Sequence, residues 1–224
     1  RDVSVLFSDI RGFTSISERL GAKETVALLN EYFTDMVDIV FAHNGVLDKY
    51  IGDMIMAVFG SVLQSDEDAS NAVMVGNKML TALHQLNRRR AERGDEAIRI
   101  GVGISTGNVV AGNIGSLKRM EYTVVGDRVN LAERLESANK FYGTSILICD
   151  ATWEAVRHHA AAREIDLIRV RGRDRPVAIY EALGHHSEDS FPHREEALAA
   201  FSEGLLRYRR RDWAGAEHCF SAAL

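Results

Sequence analysis

The sequence has no long hydrophobic run, since none of its apolar stretches approaches the roughly 18 residues that a membrane-spanning helix requires. We also predict no signal peptide, because Arg1 and Asp2 lead directly into residues typical of a β-strand. The first residue is not methionine, so we interpret the chain as part of a longer protein. We expect a cytoplasmic domain, and this leaves open whether the parent protein is membrane-anchored.

Cysteine and concentrated positive charge are scarce as well. The two cysteines, Cys149 and Cys219, do not form a CxxC pair, which argues against a zinc site or a disulfide framework. We expect buried thiols in a reducing compartment. The net charge is -5 and no long basic run occurs, so nucleic acid is not expected as a partner. The balance of 46% hydrophobic and 26% charged residues is typical of a globular protein.

What the sequence does contain is an alternation of strand and helix patterns over residues 1–183, which we predict to be one domain. Strands are predicted at residues 3–8, 46–51, 54–59, 98–105, 109–115, 121–125, 146–149, 165–170 and 177–183, and helices at residues 17–43, 65–93, 128–141 and 151–159. Hairpins interrupt the alternation, which favours an antiparallel or mixed sheet over a doubly wound one. We therefore predict an α+β fold: a ferredoxin-like βαββαβ core with a mixed or antiparallel sheet flanked by helices, plus a C-terminal α-hairpin.

Two local patterns support more specific expectations. Gly101 and Gly103 alternate along a predicted strand, which indicates that another element approaches the backbone closely on that face. The triplet of Arg88, Arg89 and Arg90 near the end of a long helix is either an anion site or a solvated helix end. We favour the solvated end, because basic residues there complement the helix dipole.

The end of the chain has a different character. Residues 184–194 are polar and predict a linker. We interpret its histidines, His185, His186 and His193, as solvated side chains and not as metal ligands, because no carboxylate or cysteine lies at a fixed ligand spacing. Residues 195–224 predict a helical pair similar to a tetratricopeptide repeat. A single repeat cannot bury its own apolar face, so further repeats follow it, or it docks on the domain, or it binds a protein partner.

Two carboxylates are placed where predicted strands end. Asp9 follows the apolar run of the opening strand, and Asp53 lies at the tip of the predicted hairpin. If the two strands are neighbours, both side chains reach one edge of the sheet and can hold two divalent cations against a polyphosphate. The alternative for Asp9 is a turn-capping hydrogen bond, and the residues alone leave both interpretations open.

Three segments resemble the signature segments of the class III nucleotidyl cyclases. They are FSDIRGFT at residues 7–14, DKYIGD at residues 48–53 and YTVVGDRVNLAERL at residues 122–135, in the family's order. The resemblance extends from about Val3 to Leu183. It implies the catalytic domain of a bacterial type of adenylate cyclase, a lyase that converts ATP to 3′,5′-cyclic AMP and pyrophosphate in intracellular signalling.

The resemblance implies a metal site and a set of phosphate contacts. Asp9, Ile10 and Asp53 correspond to the metal site, which holds two Mg²⁺ or Mn²⁺ ions. Arg171, or Arg173 close by, corresponds to a basic phosphate-binding residue, and Arg119 is a further candidate. The loop that surrounds the phosphates corresponds to the main chain of Ile10, Arg11, Gly12, Phe13 and Thr14.

The resemblance also implies how base and ribose are bound. Lys49 and Thr123 correspond to the pair that contacts the purine, and a Lys–Thr pair favours ATP over GTP. Asn130 and Arg134 correspond to the pair that positions the ribose and stabilises the transition state.

In the family one subunit supplies the metal aspartates and the other supplies the base and ribose contacts. Because this chain contains both sets, the resemblance implies a homodimer with two shared active sites. The alternatives are a guanylate cyclase and a non-catalytic module that binds nucleotide or dimerises.

Overall fold

The computed structural model describes residues 1–169 and 176–224 and is built around a seven-stranded sheet. Its strands, together with two that form a separate sheet, are β1 (Asp2–Ile10), β2 (Val46–Ile51), β3 (Met54–Phe59), β4 (Ile100–Asn108), β5 (Val110–Ser116), β6 (Arg119–Val125), β7 (Ile146–Cys149), β8 (Ala162–Ile168) and β9 (Val177–Ala182). The large sheet has the order β2-β3-β1-β4-β7-β9-β8. Strands β5 and β6 pair with each other as an antiparallel hairpin, here called the β5–β6 arm.

The described residues also form helices on both sides of the sheet and at the end of the chain. These are α1 (Phe13–Leu20), α2 (Ala22–Ala42), α3 (Asp68–Glu92), α4 (Asp127–Tyr142), α5 (Asp150–Val156), α6 (Arg194–Arg209) and α7 (Trp213–Ala222). Within residues 1–169 and 176–224, no helix combines the length and the hydropathy needed to cross a bilayer.

The predicted βαββαβ core is confirmed by the strand order. Strands β2, β3, β1 and β4 are neighbours in that order and all pair antiparallel, with α1 and α2 joining β1 to β2 and α3 joining β3 to β4. Strand β4 then pairs parallel with β7, which makes the sheet mixed. The extension by β7, β9 and β8 places the closing hairpin at the far edge.

Strand β1 lies inside the sheet and divides its side chains between two faces. Leu6 and Ile10 join the larger core beneath α2 and α3, whereas Val3, Val5 and Phe7 pack on the opposite face with residues of α4 and the β5–β6 arm. Each fully buried side chain of this size contributes about 1.5–3 kcal/mol. Since side chains alternate along a strand, the next residue in the odd-numbered series, Asp9, projects toward α4.

The two glycines of β4 allow the closest contact between a helix and the sheet. A Cβ atom on Gly103 would lie 2.1 Å from the carbonyl oxygen of Ala132 and 2.2 Å from the nitrogen of Glu136, both in the backbone of α4. A Cβ atom on Gly101 would lie 2.5 Å from Oε1 of Glu136. The predicted close approach is therefore confirmed, and it fixes the position of α4 against β4.

The prediction of one helix over residues 17–43 is wrong. The helical region begins earlier, at Phe13, and divides at Gly21, whose φ of 79° and ψ of 171° do not continue a helix. Glycine adopts this conformation without the Cβ clash that other residues meet. As a result α1 is a short separate helix whose N-terminus follows β1 after only two residues.

The interpretation of the arginine triplet as a solvated helix end is only partly correct. Arg88 is exposed, whereas Arg89 forms an ion pair with Asp35 of α2. Arg90 is 4% exposed, and its Nε donates to the carbonyl oxygen of Glu96 at 2.9 Å. Arg89 and Arg90 thus tie the end of α3 to α2 and to the loop that leads into β4.

Two of the three histidines after β9, His185 and His186, are less solvated than predicted, whereas His193 is exposed as predicted. His185 is half-buried and its ring lies 4.0 Å from that of His186. Burial, followed by the charges of His186 and His84, lowers the pKa of His185 to about 4. Within the described part of the chain no group of three His, Cys, Asp or Glu side chains is arranged to hold a metal ion.

The two cysteines are free; Cys149 is buried as predicted, and Cys219 is partly exposed.

The C-terminal helical pair contacts the edge of the domain. Arg209 of α6 forms a 2.5 Å ion pair with Glu164 of β8, and Arg163 of β8 lies 4.7 Å from the ring centroid of Phe201. Of the three alternatives for this pair, docking on the domain is therefore observed. A protein partner and further repeats stay predictions, as does the boundary placed at residues 184–194.

We expect Gly103→Ala to destabilise the domain strongly, because the added methyl group must displace α4 from β4. Overpacking of this kind costs about 1–3 kcal/mol, and we expect the upper end because both obstacles are backbone atoms. Gly112→Ala is the matched control, since a Cβ at Gly112 meets nothing within 4 Å. Urea unfolding of both variants measures the difference. Equal stabilities for the two variants would contradict the close packing described above.

Candidate active site

The predicted metal residues lie together at one end of β1. Strand β1 pairs with β3, with Ser8 opposite Ile55, so that Asp9 comes level with the β2–β3 turn that contains Asp53. The main-chain N–H of Ile10 donates to Oδ2 of Asp53 at 3.2 Å, and Asp53 lies near enough to Asp9 to raise the pKa of its carboxyl group. The structure thus brings Asp9, Ile10 and Asp53 to one point.

The surroundings of Asp9 disfavour its charged form. Burial raises the pKa of Asp9 from 3.8 to about 8, with further contributions from the hydrogen bond and charge of Asp53 and from the charge of Glu136, whereas the main chain of Ile10 lowers it. Glu136 of α4 is 7% exposed, and burial raises its pKa as well. Three acidic groups therefore face one small region, where the charge of Arg11 opposes part of the shift at Glu136.

The predicted phosphate loop forms a tight turn that ends in the N-terminus of α1. Gly12 is the N-cap of α1 with a left-handed φ of 71°, and no side chain caps the helix. Within the described residues, the main-chain N–H groups of Gly12, Phe13 and Thr14 donate to no protein group. Unpaired N–H groups at a helix N-terminus favour an anion.

Arg11 does not contribute to this turn in the same way. Its main-chain N–H donates to the carbonyl oxygen of Arg99 at 2.8 Å, and its guanidinium donates to the carbonyl oxygen of Thr144 in the interior. Burial, followed by the charge of Arg99, lowers the pKa of Arg11, while the charge of Glu136 opposes this shift. Of the five residues predicted to surround phosphate, Gly12, Phe13 and Thr14 therefore have the free donors.

The two residues predicted to contact the purine are joined through a third side chain. The hydroxyl of Thr123 donates to the carboxylate of Asp48, with both oxygens at 2.9 Å, and Nζ of Lys49 lies 3.3 Å from Oδ1 of Asp48. The β2–β3 register shifts between Leu47 and Lys49, so Asp48 is the extra residue of a β-bulge. Bulges re-aim side chains, and this one directs Asp48 and Lys49 to the same neighbours.

A second ion pair links Lys49 to the β5–β6 arm. Its ammonium lies 3.3 Å from a carboxylate oxygen of Glu121, which also pairs with Arg119 at 2.6 Å. Burial lowers the pKa of Lys49, but the charges of Asp48 and Glu121 outweigh this effect and raise it overall. Arg119 has a side chain that is 84% exposed, and it contacts Glu121 instead of the turn at Gly12.

Helix α4 presents different residues on opposite sides. Glu136 packs against Gly101 and Gly103 of the sheet, whereas Asn130 and Arg134 are exposed. At about 100° per residue, Arg134 lies roughly 200° around the helix from Glu136, and Asn130 lies on the same outer side. The structure therefore places the predicted transition-state pair together, and it places that pair away from the face that meets Asp9. Arg171 and Arg173 lie outside the described residues.

Comparison with known proteins places this arrangement in a family. Residues 1–181 match the model of the adenylate and guanylate cyclase catalytic domain. The chain belongs to this family.

Several relatives of this cyclase domain are characterised by name or by structure. Adenylate cyclase 1 of Rhizobium meliloti strain 1021 is 34% identical over 184 residues, covering 82% of this chain and 28% of that protein. The crystal structure of the adenylyl cyclase CyaB from P. aeruginosa superimposes with a TM-score of 0.76 at 36% identity, covering 85% of this chain and 96% of that chain. A guanylyl cyclase structure superimposes with a TM-score of 0.73 at 39% identity, covering 86% of this chain and 95% of that chain.

The curated relatives are much longer than this chain. It spans 28%, 10% and 36% of the length of three curated adenylate cyclases that it matches. The family relationship therefore applies to the cyclase domain and does not extend to the rest of a longer protein.

The donor set of this cyclase domain suits the divalent metal ions that the family uses. Asp9 and Asp53 offer carboxylate oxygens, which are the ligands that Mg²⁺ prefers. Their mutual repulsion, which contributes to the raised pKa of Asp9, would be relieved by a cation between them. Within the described residues no group of three acidic, histidine or cysteine side chains could hold a metal ion, so Glu136 acts on the pair by its charge and coordination positions are left for water and phosphate oxygens.

Two residues of the cyclase domain were missed by reasoning from the sequence alone. Asp48 precedes Lys49 in the second signature segment, but simple alternation along a strand would put the two side chains on opposite faces. The β-bulge at Asp48 overrides this alternation, and it contains no glycine or proline that would have indicated it in the sequence. The position of Glu136 was predicted only in part: Gly101 and Gly103 indicated that some element approaches β4 closely, but not that it is the helix with Glu136.

We expect Asp53→Asn to stabilise the metal-free domain at pH 8 more than at pH 5. Asp9 titrates near pH 4 when unfolded and near pH 8 when folded, so its contribution to the free energy of unfolding falls as pH rises between these values. Removing the neighbouring charge reduces this loss by about 1 kcal/mol after allowance for solvent screening. Urea unfolding in EDTA at both pH values measures the effect.

The control for this experiment is Asp66→Asn, because Asp66 is exposed and follows the far end of β3, whereas Asp53 precedes its near end. We also expect Mg²⁺ or Mn²⁺ to stabilise the unsubstituted domain at pH 8 and to lose most of this effect in Asp53→Asn. A pH-independent gain in stability, or undiminished stabilisation by the metal, would argue against a cation held by Asp9 and Asp53.

Proposed function

We propose that the domain is an adenylate cyclase, which converts ATP to 3′,5′-cyclic AMP and pyrophosphate. The observation that carries this proposal is the Asp9–Asp53 carboxylate pair beside the free N–H groups of Gly12, Phe13 and Thr14. Together they form a site for a metal-bound polyphosphate. The preference for ATP is proposed from Lys49 and Thr123, with guanylate cyclase as the alternative.

We propose that Asp9 and Asp53, with the main chain of Ile10, hold two Mg²⁺ or Mn²⁺ ions per site. When bound, such ions neutralise triphosphate charge and lower the pKa of the attacking hydroxyl. The uncapped turn at Gly12, Phe13 and Thr14 would orient the phosphates by main-chain hydrogen bonds.

The remaining residues act on the reacting atoms. In the reaction a bond forms between the ribose 3′-oxygen and the α-phosphorus, the bond to the bridging oxygen of pyrophosphate breaks, and the hydroxyl proton leaves to solvent. Asn130 would hydrogen-bond the ribose and keep the 3′-oxygen in line with the phosphorus. Arg134 would donate to the phosphoryl oxygens, where its planar fork and fixed charge match the developing negative charge. Removing one such donor typically lowers the rate about 10²–10³-fold.

The opposite faces of α4 support a site shared between two copies of the chain. Glu136 turns toward the carboxylate pair, so Asn130 and Arg134 point away from it. One chain therefore cannot assemble a complete site, whereas two chains in a head-to-tail pair form two equivalent sites. The β5–β6 arm supports such a pairing, because it exposes several large apolar side chains: Val110, Ile114, Leu117, Met120, Tyr122 and Val125.

We expect the purified domain to form cyclic AMP from ATP with Mg²⁺ or Mn²⁺, and to form less cyclic GMP from GTP. Asp53→Ala should reduce this activity to background while the domain remains folded, because the carboxylate pair is lost. Asp66→Ala, at an exposed position, is the control and should retain activity. Persistent metal-dependent turnover in Asp53→Ala would refute the assignment of the metal site, and a higher kcat/KM for GTP would favour guanylate cyclase.

We expect a mixture of Asp9→Ala and Arg134→Ala chains to recover activity that neither variant has alone. Each mixed dimer contains one site with both defects and one site with neither, so random pairing restores part of the original rate. The measurement is the cyclic AMP formed on mixing, together with native mass spectrometry to count mixed dimers. Mixed dimers without activity would contradict the shared site.

A further inference from the structure

We propose that Asp48 determines the choice of purine by fixing the direction of the hydrogen bond that Thr123 offers to the base. This inference rests on the proposed function, in which Lys49 and Thr123 contact the purine ring. It assigns Asp48 a positioning role that acts through Thr123.

The argument starts from the single proton of the Thr123 hydroxyl. Both carboxylate oxygens of Asp48 lie 2.9 Å from Oγ1 of Thr123, and a carboxylate can only accept. The hydroxyl proton is therefore donated to Asp48. Toward any other partner Thr123 presents only lone pairs, so it is an acceptor.

Lys49 has the opposite character. Its ammonium has three protons and no lone pair, and Asp48 and Glu121 hold it from two sides at 3.3 Å each. The pair consequently offers a nucleotide one fixed donor and one fixed acceptor. Without Asp48 the hydroxyl could rotate and donate, and this distinction would be lost.

A fixed donor beside a fixed acceptor matches adenine. The ring nitrogen N1 of adenine accepts and its exocyclic N6 amino group donates, whereas guanine presents an N1–H donor and an O6 acceptor at the same two positions. With Lys49 at N1 and Thr123 at position 6, adenine makes two hydrogen bonds. Guanine in that pose would place donor against donor and acceptor against acceptor, which leaves polar groups unpaired and is disfavoured.

The local backbone and the burial of both side chains hold Asp48 against Thr123. Asp48 is the extra residue of the β2–β3 bulge, which brings its side chain to the same neighbours as that of Lys49. The Asp48 side chain is 5% exposed and Thr123 is 8% exposed, so water competes little for their hydrogen bond. A role confined to tying β6 to β2 would affect stability but not the choice between ATP and GTP.

The test is the ratio of kcat/KM for ATP to kcat/KM for GTP in Asp48→Asn. The asparagine amide has nearly the same shape but can donate to Oγ1, which allows Thr123 to donate to the base. We expect the ratio to fall about tenfold or more, as one hydrogen bond is worth about 1–1.5 kcal/mol. Glu121→Gln is the matched control, because it removes the other acidic partner of Lys49 and leaves the Asp48–Thr123 bond intact. Its ratio should be unchanged.

A second comparison isolates the path through Thr123. Thr123→Val removes the hydroxyl, and we expect it to lower the ratio; adding Asp48→Asn to it should then change the ratio no further. If Asp48→Asn alone does not fold, Thr123→Val still tests the polarity of the hydroxyl. Its ratio must fall, because adenine loses an acceptor and guanine loses a repulsive contact.

The outcomes separate this inference from the proposed function. An unsubstituted domain that cyclises neither nucleotide, or prefers GTP, would overturn the proposed function. A domain that prefers ATP and keeps that preference in Asp48→Asn would overturn the role of Asp48 alone. An equal fall in the ratio for Asp48→Asn and Glu121→Gln would also overturn it, because the effect would then follow the charge near Lys49 and not the polarity of Thr123.

Discussion

The close contact between α4 and β4 is the constraint on which the rest of the structure depends. Gly101 and Gly103 have no side chains, so the backbone of α4 lies against the backbone of β4, and Glu136 is carried into the space above the end of β1. The same contact turns Asn130 and Arg134 outward. The packing of α4 on β4 therefore determines which side chains of α4 face the carboxylate pair and which face outward.

The acidic groups around β1 favour a bound cation. Asp9, Asp53 and Glu136 lie close enough for burial and mutual repulsion to hold the pKa of Asp9 near 8. Such an arrangement lowers the stability of the metal-free domain at neutral pH, and it is maintained because β1, the β2–β3 hairpin and α4 are positioned by the hydrophobic core. Each large buried side chain of β1 stabilises the domain by about 1.5–3 kcal/mol, so a small part of the core offsets the free energy lost by placing these acidic groups together.

Much of the fold could be predicted from local patterns, because alternation along strands, the 3.6-residue helical period and hairpin turns act over short stretches. The βαββαβ core, the β2–β3 hairpin with Asp53 at its tip, and the glycine contact at β4 all follow from such patterns. The break at Gly21 has a local cause in the glycine itself and was overlooked, whereas the burial of Arg90 and the contacts of His185 depend on tertiary neighbours that no local pattern encodes. The grouping of Asp9 with Asp53 was predicted only on the condition that their strands are neighbours, and the bulge that recruits Asp48 was not predicted at all.

The position of α4 also has a genetic consequence for the proposed dimer. Each α4 supports the metal half of one site through its inner face and supplies the transition-state half of the other site through its outer face. A side-chain defect such as loss of Arg134 would silence one site of a mixed dimer and spare the other. A defect that displaces the whole helix, as an added methyl group at Gly103 would, impairs both sites from a single altered chain. Alleles that disturb this helix packing would therefore behave as dominant, whereas alleles that remove catalytic side chains from different halves of the site would complement one another.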